Sequence, residues 1–151
     1  MSKTINMIAI KPDITIRSLA GAGMVRTANC VISDVQCSED KALDAFYQAI
    51  NCDLIDILTF NLNGKEVSIA FDDNGLFRTD EALGVAEDGR GYISGWTITD
   101  DAGDAFHIPG TVVFHGVDED GETIDSPISE DEIRNLYARG QIRPALLIEF
   151  N

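Results

Sequence analysis

At 151 residues and 44% hydrophobic, the chain has the size of one domain and enough apolar surface to build a core without metals or disulfide staples. Its 26 acidic residues against 11 basic ones give a net charge of −15, a field that repels nucleic-acid phosphates and disfavours direct DNA or RNA binding. No run approaches the roughly 18 apolar residues of a membrane span, and Met1–Lys11 holds too short an apolar stretch for a secretory signal, so the expectation is a cytoplasmic protein without membrane contact.

In chain order, Thr4 to Ile10 is a β-rich apolar run. Ile14 and Ile16 continue its alternation past Pro12 and Asp13, which predicts one or two short strands. Ser18 to Thr27 carries Gly21 and Gly23 among small residues and reads as a loop or a turn of helix; it lacks the third glycine of a dinucleotide fingerprint. Asn29 to Val35 is a further strand. Ser38 is a good N-cap, and Leu43, Phe46, Tyr47 and Ile50 recur at helical spacing, which predicts a helix over Ser38–Asn51 with one face on a sheet. Cys30, Cys37 and Cys52, at spacings that fit neither a disulfide framework nor a zinc site, read as small half-buried hydrophobes.

Asp53 to Phe60 is β-rich and leads into Asn63-Gly64, a hairpin-turn dipeptide. In the returning strand, Lys65 to Phe71, Val67, Ile69 and Phe71 alternate with Glu66, Ser68 and Ala70. Asp73-Asn74-Gly75 makes a turn, and Arg78 to Arg90 reads as a surface loop. Tyr92–Thr99, Ala105–Ile108 and Thr111–Val117 are predicted strands, separated by an acidic turn at Asp100–Asp104 and followed by another at Asp118–Gly121. Ser129-Glu130-Asp131-Glu132 matches a capping box opening a helix over Glu130–Arg139, with Gly140 past its end and a last strand over Ala145–Phe150. The expected fold class is therefore α+β: one mostly antiparallel twisted sheet with two packed helices, in a single domain spanning 1–151.

The segments Leu43 to Leu58, Ser68-Ile69-Ala70-Phe71-Asp72-Asp73-Asn74-Gly75-Leu76 and Ile108-Pro109-Gly110-Thr111-Val112-Val113-Phe114-His115-Gly116 resemble an uncharacterised small acidic domain family carried by phages and plasmids. The likeness covers roughly residues 38 to 132, and the N-terminal segment is longer than the family pattern. It implies an accessory protein of a mobile element, working in the host cytoplasm, with no catalytic residues to carry over.

The residues themselves offer little catalytic chemistry. His107 and His115 are eight apart across a turn, with no Cys or third His at metal spacing. If Gly121 is the turn glycine of a calcium loop, the first and twelfth ligand positions fall on Gly116 and Pro127, which cannot coordinate as Asp and Glu do. No Gly-x-Ser-x-Gly exists, and the expectation is no enzyme and no cofactor.

What stands out is the distribution of charge. Glu66 to Ile133 holds 18 acids and two bases, net −16, whereas the remainder is +1. Three readings follow. In the first, the acids form a binding face for a basic, often nucleic-acid-binding, protein surface, as a nucleic-acid mimic or anti-defence inhibitor. The candidate residues are Asp72, Asp73, Asp100, Asp101, Asp104, Asp118, Glu119 and Asp120, with Glu130 and Asp131 as neighbours. In the second, Arg17, Arg26, Arg78 and Arg90 line a pocket for a small molecule such as a nucleotide signal. In the third, the charge serves only solubility or salt adaptation.

Overall fold

The computed structural model describes residues 3–19, 23–73, 83–85 and 91–150. The chain opens with a long hairpin: β1 (Thr4–Leu19) and β2 (Gly23–Ser38) pair without a break from Thr4 opposite Ser38 to Leu19 opposite Gly23. The expected interruption at Pro12 and Asp13, and the expected loop from Ser18, are thus replaced by one continuous ladder. The reason is the side on which Pro12 lacks its N–H. The Asn6 amide and carbonyl both bond residues 125 and 126, on the side away from β2. Alternate residues share that direction, so the donor missing at Pro12 would point the same way, past Ile10 where pairing on that side ends.

A 3-10 turn, Glu39–Lys41, precedes α1 (Ala42–Ile50), so Ser38 makes no side-chain cap; the Glu39 N–H instead donates to the Lys3 carbonyl at 2.9 Å. Asn51 closes α1 in the left-handed region at φ 61°. β3 (Ile55–Leu62) and β4 (Lys65–Asp72) form the expected hairpin, with Asn63 and Gly64 at φ 54° and 75° as a two-residue turn of this kind requires. β5 (Leu83–Val85) lies within the stretch expected to be a loop; the rest of that stretch, with Arg78 and Arg90, is outside the described residues. β6 (Gly91–Thr99), β7 (Ala105–Pro109), β8 (Val112–Val117) and β9 (Thr123–Ile124) follow, then α2 (Glu130–Ala138) and β10 (Ile142–Phe150).

The fold is α+β, and among the described residues its strands form two sheets rather than the single sheet expected. One runs β2-β1-β8-β4-β3 with β9 on β8; the other runs β10-β6-β5 with β7 also on β6. Alternation along a strand defines its two faces but not its partners. Ile8 and Ile10, Val67 and Ile69, and Val112 and Phe114 turn one face of the larger sheet toward Trp96, Ile98, Ile108 and Ile142 of the smaller sheet and Ile133 and Leu136 of α2. Ile5, Met7, Ala9, Ala70 and Val113 turn the other face toward Ala42, Phe46 and Ile50 of α1. α1 therefore forms an outer layer, the larger sheet the middle one, and the smaller sheet with α2 the third. Gly95 sets the closeness of β6 to β7: a Cβ there would collide with the Ile108 carbonyl oxygen and lie 2.9 Å from Pro109 Cα.

Candidate acidic end

The two acidic loops are the same device used twice. In Asp100-Asp101-Ala102-Gly103-Asp104, Asp100 Oδ1 accepts the N–H groups of Ala102 at 3.0 Å and Asp104 at 2.9 Å. In Asp118-Glu119-Asp120-Gly121-Glu122, Asp118 Oδ1 accepts those of Asp120 and Glu122, both at 2.9 Å. In each loop the first aspartate's own N–H closes the turn onto the carbonyl four residues on, at 2.9 Å. The glycine at the fourth position sits at φ 90° or 82°, which its missing Cβ permits. Asp100 and Asp118 are therefore turn-forming residues as well as charges.

Asp101 carries a third task. Its Oδ1 and Oδ2 accept the N–H groups of Asn63 at 3.1 Å and Gly64 at 2.8 Å, and its own N–H donates to the Asn61 carbonyl at 2.9 Å. One carboxylate thus clamps the tip of the β3–β4 hairpin to the β6–β7 loop. Glu132 extends the junction. It accepts from Asn63 Nδ2 at 2.8 Å and Lys65 Nζ at 3.0 Å, and Lys65 also donates to the Pro127 carbonyl at 3.1 Å. Donation from the Asn63 amide, then from Lys65, holds the Glu132 carboxyl below the usual range, because these bonds favour its charged form. The expected capping box is present: Ser129 Oγ accepts the Glu132 N–H at 3.2 Å, and the Ser129 N–H reaches back to Glu132 at 3.3 Å.

Register decides which loops meet. β4 begins at the 63–64 tip and runs antiparallel to β8, with Ser68 opposite His115, so the C-terminal end of β8 and its loop 118–122 lie at the same end of the sheet as that tip. Asp101 and Glu132 bring loop 100–104 and the first turn of α2 to the tip as well. Asp100, Asp101, Asp104, Asp118, Glu119, Asp120, Glu130 and Asp131 therefore gather at one end. Glu130 is paired with Arg134 at 3.1 Å. Asp104, Glu119, Asp120 and Asp131, together with Glu122, are exposed and make no side-chain hydrogen bond or ion pair among the described residues.

Asp72 and Asp73 do not join them. They sit at the far end of β4, seven residue steps or about 23 Å from its start. Asp73 is exposed, but Asp72 is buried at 7% exposure, sharing a sheet face with Ala70 and Ser68. The sequence places Glu132 only in the capping box, and leaves out of the candidate face Glu122 and Asp125, whose Oδ1 accepts the Asn6 N–H at 2.7 Å. The recurrence of Asp-x-x-Gly-acid at 100–104 and 118–122 was the available signal for the first.

The remaining chemistry-bearing groups are dispersed. His107 lies on β7 of the smaller sheet, 3.1 Å from Thr97 Oγ1, while His115 is on β8 beneath α1, so the topology keeps them apart. Among the described residues no group of three His, Cys, Asp or Glu is placed to hold a metal ion. Burial pushes the Cys30 thiol up to about 11 against the nearby Arg134, and burial followed by Asp40 raises Cys37, so both favour the unreactive thiol. Arg17 and Arg26 fall on neighbouring rungs of the β1–β2 ladder. A groove of about 410 Å³ between α1 and that ladder is lined by Ala9, Val31, Val35, Ala45 and Ala49, with Lys11 among its polar residues. No helix among the described residues is long and apolar enough to cross a membrane. No family model, curated protein or solved structure matches this chain.

Proposed function

We propose that the chain is a non-catalytic interaction protein whose acidic end engages a basic protein surface, standing in for a phosphate array on a nucleic-acid-binding partner. The observation that carries this reading is the convergence of loops 100–104 and 118–122 and the first turn of α2 at one end of the larger sheet. Folding alone explains Asp100, Asp101 and Asp118, which bond backbone N–H groups. It does not explain why the positions left over in the two loops, Asp104, Glu119, Asp120 and Glu122, are also acidic and exposed beside them. Like charges so placed repel one another, and a basic partner removes that repulsion on binding. The family resemblance adds the setting: an accessory protein of a mobile element acting on a host factor in the host cytoplasm.

The experiment is capture of partners from a bacterial lysate on immobilised protein at low salt, then elution with rising salt and, separately, with duplex DNA. The reading expects a basic nucleic-acid-binding protein that elutes at moderate salt and is displaced by DNA. Partners that hold through high salt, or that bind DNA and this chain together, would contradict it.

A further inference from the structure

His115 has 0% exposure in the middle strand β8, on the face that α1 covers. Its ring packs against Phe46 of α1, centroid to centroid at 4.9 Å. Its Nδ1 is 3.0 Å from the Gly116 carbonyl oxygen, which can only accept, so the neutral ring carries its proton on Nδ1. Nε2 is then a bare lone pair, and among the described residues it has no hydrogen-bond partner.

Among the described residues, the groups set directly against the ring are uncharged. From α1 the facing group is Phe46, and from β4 the residue opposite in register is Ser68, whose Oγ is already bonded to Thr59 Oγ1 at 2.7 Å. Met7 lies on the same face of β1. Two acids of β4 share this face, Glu66, which is exposed one pair along from Ser68, and Asp72, two positions beyond Ala70; Asp44 on α1 is exposed and Asp125 is bonded to Asn6. Lys41 at the start of α1 is exposed. Meanwhile α1 is lightly held. It has nine residues, buries only Ala42, Phe46 and Ile50, lacks a side-chain N-cap, and makes no side-chain hydrogen bond or ion pair to the sheet among the described residues. The groove along one flank leaves it supported on a narrow stripe.

We propose that His115 makes the α1 layer a proton-operated latch: uptake of a solvent proton at Nε2 undocks α1 while the two-sheet sandwich beneath stays folded. The step forms one N–H bond and creates a buried imidazolium with no acceptor for the new donor. Lifting α1 hydrates that charge. The opened state uncovers Ile5, Met7, Ala9 and Val113, an apolar surface hidden in the docked protein. The sandwich is unaffected because its core lies on the opposite face of the larger sheet. Burial also holds the His115 imidazole below its ordinary value, despite the Gly116 carbonyl, which is the direction the latch needs.

Hydrogen exchange of the full chain between pH 6.5 and 5.5, corrected for intrinsic rates, tests this above the range where ordinary carboxylates titrate. The opening constant of amides in 42–50 should rise about fivefold between pH 6.5 and 5.5, as protonation of one hydrated imidazole with an ordinary value of about 6.5 requires, while amides of α2 and β6 stay unchanged. His107→Gln should keep this response, and His115→Phe, which still stacks on Phe46, should abolish it. Where His115→Phe does not fold, ¹⁵N shifts of the wild-type ring replace it: Nε2 should gain its proton in step with α1 opening. A flat α1 response, a response shared by α2 and β6, a slope retained in His115→Phe, or ring protonation out of step with opening would each overturn the latch.

Discussion

Replacing Asp101 by Asn separates the structural acids of the candidate end from the free ones. The carboxylate accepts two backbone N–H groups, at 3.1 and 2.8 Å, from the hairpin turn residues Asn63 and Gly64. An asparagine keeps one oxygen and turns an NH₂ toward the second N–H, so one bond is lost and a donor faces a donor. Hydrogen bonds to charged groups contribute about 1.5–3 kcal/mol each, but all three residues are exposed and water takes over part of the loss. The net cost should be about 1–2 kcal/mol. At a urea m-value of about 2 kcal/mol/M, that lowers the denaturation midpoint by roughly 0.5–1 M at unchanged m. The amide resonances of Asn63 and Gly64 should shift as well. Asp104→Asn, at a neighbouring acid with no such partner, should stay within about 0.5 kcal/mol of the parent. Equal stability of Asp101→Asn and parent, with the two turn amides unmoved, would show that the clamp does not hold the hairpin tip.

Phe46→Ala removes the largest side chain that α1 buries, at 2% exposure; thermal or urea unfolding should register a loss of about 3–5 kcal/mol. Ser129→Ala deletes the α2 capping box and should cost about 1 kcal/mol. Glu132 is held below the usual carboxylate range, chiefly by Asn63 and then Lys65. Its contribution is therefore present above the unfolded value of about 4.3 and lost as pH falls through the lower folded value. Urea midpoints from pH 5 to 3 should fall less steeply for Glu132→Gln than for the parent; parallel curves would contradict the assigned cause.

The local rules in the sequence translated well where a short segment decides its own structure. The alternation of Lys65 to Phe71, the Asn63-Gly64 turn, the Ser129–Glu132 box and the burial of Phe46 are all as the residues imply. What local rules cannot express is pairing over distance. Pro12 breaks a strand only when its missing donor faces a partner, and that depends on where β8 ends. The split into two sheets depends on which strand β6 pairs with, and β9 is two residues held by Gly116 and Val117. The acids behave alike in this respect. Asp72 and Asp101 look equivalent in the sequence, yet one is buried in β4 and the other clamps a hairpin. Only the register distinguishes the free carboxylates of one end from Asp73 at the other.

The central claim is that one end of the molecule, rather than its overall charge, recognises a basic partner. Two variants test it with equal charge change, each taking −15 to −12: Asp104→Asn with Glu119→Gln and Asp120→Asn at the acidic end, and Asp13→Asn with Asp53→Asn and Asp73→Asn away from it. Calorimetric Kd values should be measured for the partner recovered by capture, between 50 and 300 mM salt. The first variant should bind about tenfold more weakly or worse at low salt, with a shallower salt dependence, and the second should match the parent. Equal weakening by both would mean that the charge acts as a uniform coat, and undiminished binding by the first would remove the acidic end from recognition.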